Sequence, residues 1–376
     1  MNKIYLDNAA TTKLHPEVLD AMYKVMKDYY GNPSSVHFFG RKSKSLIELS
    51  RKTISSLLNV SPGEIFFTSG GTEADNACIV SCIKDFSITH AVTTKLEHHA
   101  VLHTLQNLEK IGIISLSYVD FNSDGEINVD DLNSILSKHP RSFVSIMHAN
   151  NEIGTKISLK EIGDVCKNHN SIFHSDTVQT MAHYDFNLSE TPVHFVTGSA
   201  HKFHGPKGVG FLYIDGEISI NPFIFGGAQE RNMRAGTENL YGIVGMSKAM
   251  EIAYRDLKKD KEFITGLKNY MINQLKNNIK GVCFNGSIDE DKSLYTVLNV
   301  SLPPTELADM LIYNLDLLGV SCSSGSACSS GSNTGSHVLQ AIGCPNERAA
   351  LRFSFSKYNN KKEIDLVVKE LSKLFI

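Results

Sequence analysis

The chain lacks a CxxC pair, and none of its seven cysteines is joined by histidines at zinc-finger spacing. A structural zinc is therefore not expected, and no metal is assigned. Seven is an odd number spread over a long chain, so most of these residues read as small buried side chains of a reducing compartment. Long basic runs are missing too, and the net charge is −3. Nucleic acid and anionic membranes are not expected partners. The N-terminus "MNKIYLDNAATT" carries no apolar leader core, and no apolar run approaches the length of a membrane span. The expected location is the cytoplasm, with no membrane contact.

The chain does have size and an ordinary interior. Its 376 residues are 41% hydrophobic and 20% charged, enough for two domains of a globular protein. Residues 15–30 put Val18, Met22, Val25, Met26 and Tyr29 on one helical face, and Gly31 ends the run. Residues 41–59 read as a second helix. Short β-rich runs then alternate with helical ones. "EIFFT" precedes a helix at about 72–84, "HAVTT" precedes 98–110, and "FVSIMHA" precedes 158–169. "SIFHSD" and "VHFVTGS" follow. Such alternation implies an α/β fold with a mostly parallel sheet covered on both faces. From about residue 256 the texture changes to a lysine-rich helix, "GVCFNG", "YTVLNVSL", a helix near 304–316, and a last strand and helix at 350–375. This is a smaller α+β domain.

Ligands of α/β sheets collect at the carboxyl ends of strands. Three polar features fall there. "TSGGTE" leaves a strand through Gly70 and Gly71 and enters a helix at Thr72. Backbone N–H groups and a helix N-terminus suit an anion, although a glycine turn with a threonine cap reads equally well locally. The GxxxxGKS/T spacing of a P-loop is absent. "HSDTVQ" ends a strand on Asp176, with Gln179 three residues on; Asp176 is either a partner for a protonated heteroaromatic nitrogen or a helix cap. "TGSAHKFHGPKGVG" holds Lys202 where the chain leaves an apolar run. Lys207 reads as a surface residue of the turn, and Lys202 as a candidate amine. Together the three features supply contacts for a phosphate, a pyridine nitrogen and an aldehyde, the three handles of pyridoxal 5′-phosphate.

With these stand "YLDNAATT" (5–12), "YGNPSSVH" (30–37), "FTSGGTEADN" (67–76), "EHHAV" (97–101), "NNEIG" (150–154), "RAGTEN" (234–239) and "SSGSACSSGS" (323–332). In these motifs, which span nearly the whole chain in order, the sequence resembles the cysteine desulfurases of the class V aminotransferase family, which are fold-type I pyridoxal-phosphate enzymes. The resemblance implies a large domain with a mostly parallel seven-stranded sheet flanked by helices (15–255). It also implies an N-terminal segment associated with the small domain (1–14), and a small C-terminal domain (256–376) carrying the loop 321–336.

The resemblance also implies roles. Lys202 binds the cofactor aldehyde and moves the substrate proton. Gly71, Thr72, Ser199 and His201 hold the phosphate, Asp176 pairs with the ring nitrogen, Gln179 reaches the ring hydroxyl, and His98 stacks on the ring and belongs with Lys202 and Cys328 in the catalytic set. Asn151 touches the cofactor and, with Arg352, clamps the substrate carboxylate. Thr237 is a phosphate contact donated across a homodimer. L-cysteine is the implied substrate, L-alanine the product, and a persulfide on Cys328 passes sulfur to an acceptor protein for iron–sulfur clusters or other thio-cofactors. The alternative is a selenocysteine lyase or another class V enzyme. Cys328 has slack on both sides in a serine- and glycine-rich stretch, whereas Cys322 follows the apolar run "LLGVS" and is expected to be held near the domain body. Two departures stand out. Thr177 replaces the family's usual alanine. The chain ends at Ile376, soon after its last helix, which puts a scaffold protein as sulfur acceptor in doubt.

Overall fold

The computed structural model describes residues 3–305, 308–324 and 335–375. A short strand, β1 (Ile4–Tyr5), is followed by helices α1 (Pro16–Asp28) and α2 (Phe38–Leu57). α1 starts at a proline, which has no N–H to lose, and the His15 ring accepts a hydrogen bond from the Glu17 N–H. Then come β2 (Ile65–Thr68), α3 (Gly71–Asp85), β3 (His90–Thr93), α4 (His99–Lys110), β4 (Ser115–Tyr118) and α5 (Val129–Lys138). β5 (Phe143–Ser145), α6 (Leu159–Asn168), β6 (Ile172–Asp176), β7 (Phe195–Ser199) and β8 (Gly210–Ile214) complete the large sheet.

Its strand order is β2-β8-β7-β6-β5-β3-β4. β8 runs against both neighbours, and every other pair is parallel. This is the mostly parallel seven-stranded sheet that the sequence led one to expect. β3, β5, β7 and β8 are buried at every residue, because helices cover both faces. β4 and α5 were not read from the sequence. β4 is the edge strand and part-exposed, so "SLSY" carries no apolar alternation to mark it.

One helix, α7 (Leu240–Asn278), is 39 residues long. Leu240, Ile243, Met246 and Met250 join the core of the large sheet, while Ile264, Leu267, Met271 and Leu275 join a second core. The change of texture near residue 256 thus falls inside one continuous helix. The second core is completed by β9 (Cys283–Asn285), β10 (Val297–Ser301), α8 (Leu311–Leu317), β11 (Val320–Ser321), α9 (His337–Ala341), β12 (Ala350–Ser354) and α10 (Lys361–Ser372). The helix expected near 304–316 is shorter. A 3-10 turn, Ala308–Met310, leads into α8, downstream of Pro303 and Pro304. β9, β10 and β12 form an antiparallel sheet. β1 pairs in parallel with β11, and Ile4 and Leu6 belong to this second core. Cys78 and Cys82 share the buried side of α3.

A buried ion pair ties the edge strand β2 down. Both terminal nitrogens of Arg51, on α2, lie 2.8 Å from the Glu230 carboxylate. The same carboxylate accepts the Phe67 N–H at 2.8 Å, and Arg51 donates to the Ile65 carbonyl at 2.7 Å. Glu230→Ala should cost about 3–5 kcal/mol, because it leaves the buried Arg51 guanidinium with only the half-exposed Glu48 as a charge partner. Urea unfolding measures this, and a loss under about 1 kcal/mol would contradict the assignment.

Candidate functional site

The carboxyl ends of β2, β6 and β7 open into one cavity of about 210 Å³. Gly71, Thr72, His98, Asn151, Asp176, Gln179, Ser199, His201, Lys202 and Arg352 all line it. Every site residue expected from the sequence is therefore present except two. Thr237 is exposed and does not line its own chain's cavity. Cys328 lies outside the described residues.

Each wall has a local cause. Gly70 carries φ +155°, which lets the chain turn from β2 into α3. No side chain caps that helix, so the N–H groups of its first turn remain available to an anion. A Cβ on Gly71 would lie 2.8 Å from Val178 Cγ2, so only glycine lets the start of α3 pack this close to the Val178 wall of the cavity. Asp176 ends β6, and its Oδ1 accepts the Val178 N–H at 2.8 Å. Burial above all, then the nearby Asp75, pushes its carboxyl up to about 7. Burial likewise pushes Asp75 up to about 7.

Lys202 lies in the tight turn between β7 and β8, with its Nζ donating to the carbonyls of Ala9 and Ala10 at 2.6 and 3.0 Å. The same segment receives the Gln179 amide at the Ala9 carbonyl, 3.1 Å away, and the Thr11 hydroxyl lies 3.2 Å from His201 Nδ1. The chain's start therefore forms one wall. His98 precedes α4, and its Nδ1 accepts the Ala100 N–H at 3.2 Å. Burial, reinforced by Lys202, lowers its pKa to about 4, so the ring is a flat neutral surface near pH 7. Arg352 comes from β12 and is fully buried. It donates to the Asn151 carbonyl and to the Asp7 carboxylate, each at 2.9 Å, while its buried Nε has no hydrogen-bond partner among the described residues. That donor suits a carboxylate ligand. Thr177, the departure noted in the sequence, donates its hydroxyl to the Thr197 carbonyl at 2.8 Å and is fully satisfied.

Cys322 is half-buried against the second core, as its position after an apolar run implied. Burial, then Asp7, pushes its thiol up to about 12. Lys207 is exposed. The sequence reading missed Asp7, which orients Arg352, and Asp75. A signal for Asp75 existed: an acid one turn from Cys78 and Ile79, within the buried stripe of α3.

A parallel sheet with an uncapped helix N-terminus, a buried acid and a lysine at its strand ends defines a class of protein. The model of the family "Aminotransferase class-V" matches residues 4–367, and the chain belongs to that family. Within it, the chain belongs with the cysteine desulfurases. It is 42% identical to cysteine desulfurase IscS of Clostridium botulinum over 379 aligned residues, covering 100% of this chain and 95% of that protein. The same enzyme of Dictyoglomus turgidum is 42% identical, with 99% and 94% covered. A solved NifS-like protein superposes with a TM-score of 0.91 at 34% identity over 99% of each chain. SspA, solved in complex with cysteine, gives 0.81 at 30% identity, with 96% of this chain and 100% of that one covered.

The raised acids make a signed prediction. An acid whose pKa is raised by folding contributes stability that is present below its ordinary value, about 4, and lost as pH rises through its folded value. For Asp176 that value is about 7. Without bound ligand, the wild-type chain should therefore lose stability relative to Asp176→Asn as pH rises from about 4 to about 7. Urea midpoints across that range check it, and a gap that stays constant or widens in favour of the wild type would be the wrong sign.

Proposed function

We propose that this chain is a cysteine desulfurase that uses pyridoxal 5′-phosphate, converts L-cysteine to L-alanine and leaves the sulfur on Cys328. The observation that carries the reading is the meeting of an open α3 N-terminus, the buried Asp176 and Lys202 in one cavity. The residues suit the cofactor: the α3 N-terminus has no side-chain cap and suits a phosphate, and the buried Asp176 carboxyl suits a cationic ring nitrogen. When bound, pyridoxal phosphate supplies an electron sink for the substrate's Cα.

The chain's own groups do the rest. The N–H groups of Gly71 and Thr72, with Ser199 and His201, would hold the phosphate. Gln179 would serve the ring hydroxyl, and neutral His98 would cover the ring. Lys202 is the amine that would hold the cofactor's aldehyde end, and its nitrogen would carry the substrate's Cα proton. Arg352, already aligned by Asp7, takes the substrate carboxylate with Asn151. The Cys328 thiolate attacks the substrate sulfur; an S–S bond forms as the Cβ–S bond breaks, its electron pair stays on carbon and takes up a proton, and alanine departs. Cys322 is the poorer candidate, because a thiol pushed up to about 12 is almost wholly protonated near pH 7. The sulfur then passes to an acceptor protein, for iron–sulfur clusters or other thio-cofactors.

We further infer a homodimer. Val36 is 88% exposed and Phe225 75%, and Tyr30, Phe38, Phe39 and Phe223 are exposed as well. Apolar side chains in such number are costly on a monomer's surface. Thr237, exposed and absent from its own cavity, would reach the site of the other chain.

Lys202→Ala should lose the visible absorbance of the bound cofactor and all turnover. Cys328→Ser should keep the colour and its change on adding L-cysteine, yet release no sulfide. Cys322→Ser should retain most activity. Paired assays of sulfide and alanine, with mass spectrometry to locate the extra sulfur, decide the matter. Sulfur on Cys322, or turnover by Cys328→Ser, would overturn the choice of thiol. Light scattering that finds an active monomer would overturn the dimer.

A further inference from the structure

Asp75 lies one turn into α3, is 1% exposed, and lines the cavity beside Asp176. One oxygen of each carboxyl and one ring nitrogen of His98 all lie within 4.8 Å of one another. Asp75 Oδ1 is 3.4 Å from His174 Nε2, and it is buried without a hydrogen-bond partner. The rest of the Asp75 carboxyl bonds to the Thr197 side chain. His174 is locked in turn. Its Nδ1 is 2.8 Å from Ser145 Oγ and its Nε2 is 3.2 Å from Thr197 Oγ1. Asp75 is thus aimed at Asp176 by its helix, with a rigid imidazole behind it. Two buried carboxyls this close disfavour each other's ionisation.

The surroundings leave the charge to the pair itself. The titratable groups facing it are His98 and Lys202 from the cavity, His174 from β6, Glu97 ahead of α4, and Cys78 on α3. Burial drives His98, His174, Glu97 and Cys78 toward their neutral forms. Lys202 favours ionisation of Asp176.

We propose that Asp75 and Asp176 share a single proton, and that Asp75 holds it while Asp176 faces the charged ring nitrogen of the cofactor. Asp75 is then a positioning residue. It lets Asp176 be an anion without a second negative charge beside it. This role rests on the pyridoxal-phosphate reading above. It predicts a titration that belongs to Asp75: when the shared proton leaves at high pH, a second negative charge appears within 4.8 Å of Asp176. The ring nitrogen should respond, because its proton is held more tightly beside two anions than beside one.

The test uses the holoenzyme. The visible band of the bound cofactor is followed against pH for the wild type and for Asp75→Asn, which keeps the shape and stays neutral at every pH. The wild type should show an alkaline step that the variant lacks, and the variant should remain loaded. Infrared spectra of the unmutated holoenzyme supply the second measurement, independent of how the variant folds. They should contain one protonated buried carboxyl band that fades over the same pH range. Identical band titrations in wild type and variant, or no protonated carboxyl in the wild-type spectrum, would overturn the shared proton alone. A purified protein that takes up no pyridoxal phosphate would overturn the cofactor reading, and this role with it.

Discussion

A guanidinium buried where separate parts of the chain meet is the constraint on which the site depends. Arg352 is 1% exposed and held by the Asp7 carboxylate at 2.9 Å. Asp7 also accepts the Ser323 hydroxyl at 2.8 Å, and residues 323 and 352 form a β-bridge. One charge pair therefore fixes the start of the chain, the strand β12, the Asn151 turn of the large sheet, and the stem from which the cysteine-bearing stretch departs. Burying such a pair costs desolvation that only good geometry and further hydrogen bonds repay. The Asn151 carbonyl supplies one of those bonds.

The same economy of charge runs through the cavity. Burial of its acids disfavours their anions, and burial of its imidazoles disfavours their cations. An apolar floor would be easier to fold. The cost is offset where bound groups carry complementary charge: the uncapped α3 N-terminus suits an anion, and Arg352 a carboxylate. Perturbed groups that converge in this way are characteristic of sites that bind charged ligands.

Much of this was legible beforehand because it is local. Gly70 and Gly71 announce a turn into a helix whatever surrounds them. Asp176 and Lys202 follow apolar runs, and an apolar run in an α/β chain ends at the ligand-bearing edge of the sheet. Cys322 follows "LLGVS", and that was enough to tie it to the second core. What escaped notice was polar where apolar residues were expected. β4 is an edge strand without alternation, and Asp75 sits in a buried stripe where an acid looks like an exception rather than a member of the site. The change of texture near residue 256 is real in composition, yet the backbone crosses it as one helix, since a helix with a different apolar stripe in each half serves two cores.

The sequence by itself determined which chemical groups exist and which of them stand at strand ends and helix starts, because those features depend on neighbours within a few residues. Only the tertiary structure decided which groups meet. The carbonyl that receives the Lys202 amine belongs to Ala9, 193 residues away, and the carboxylate that holds Arg352 lies 345 residues away. Such pairings follow from the strand order of the large sheet and from β1 crossing to β11, both set by burial of apolar faces over the whole chain rather than by any local signal.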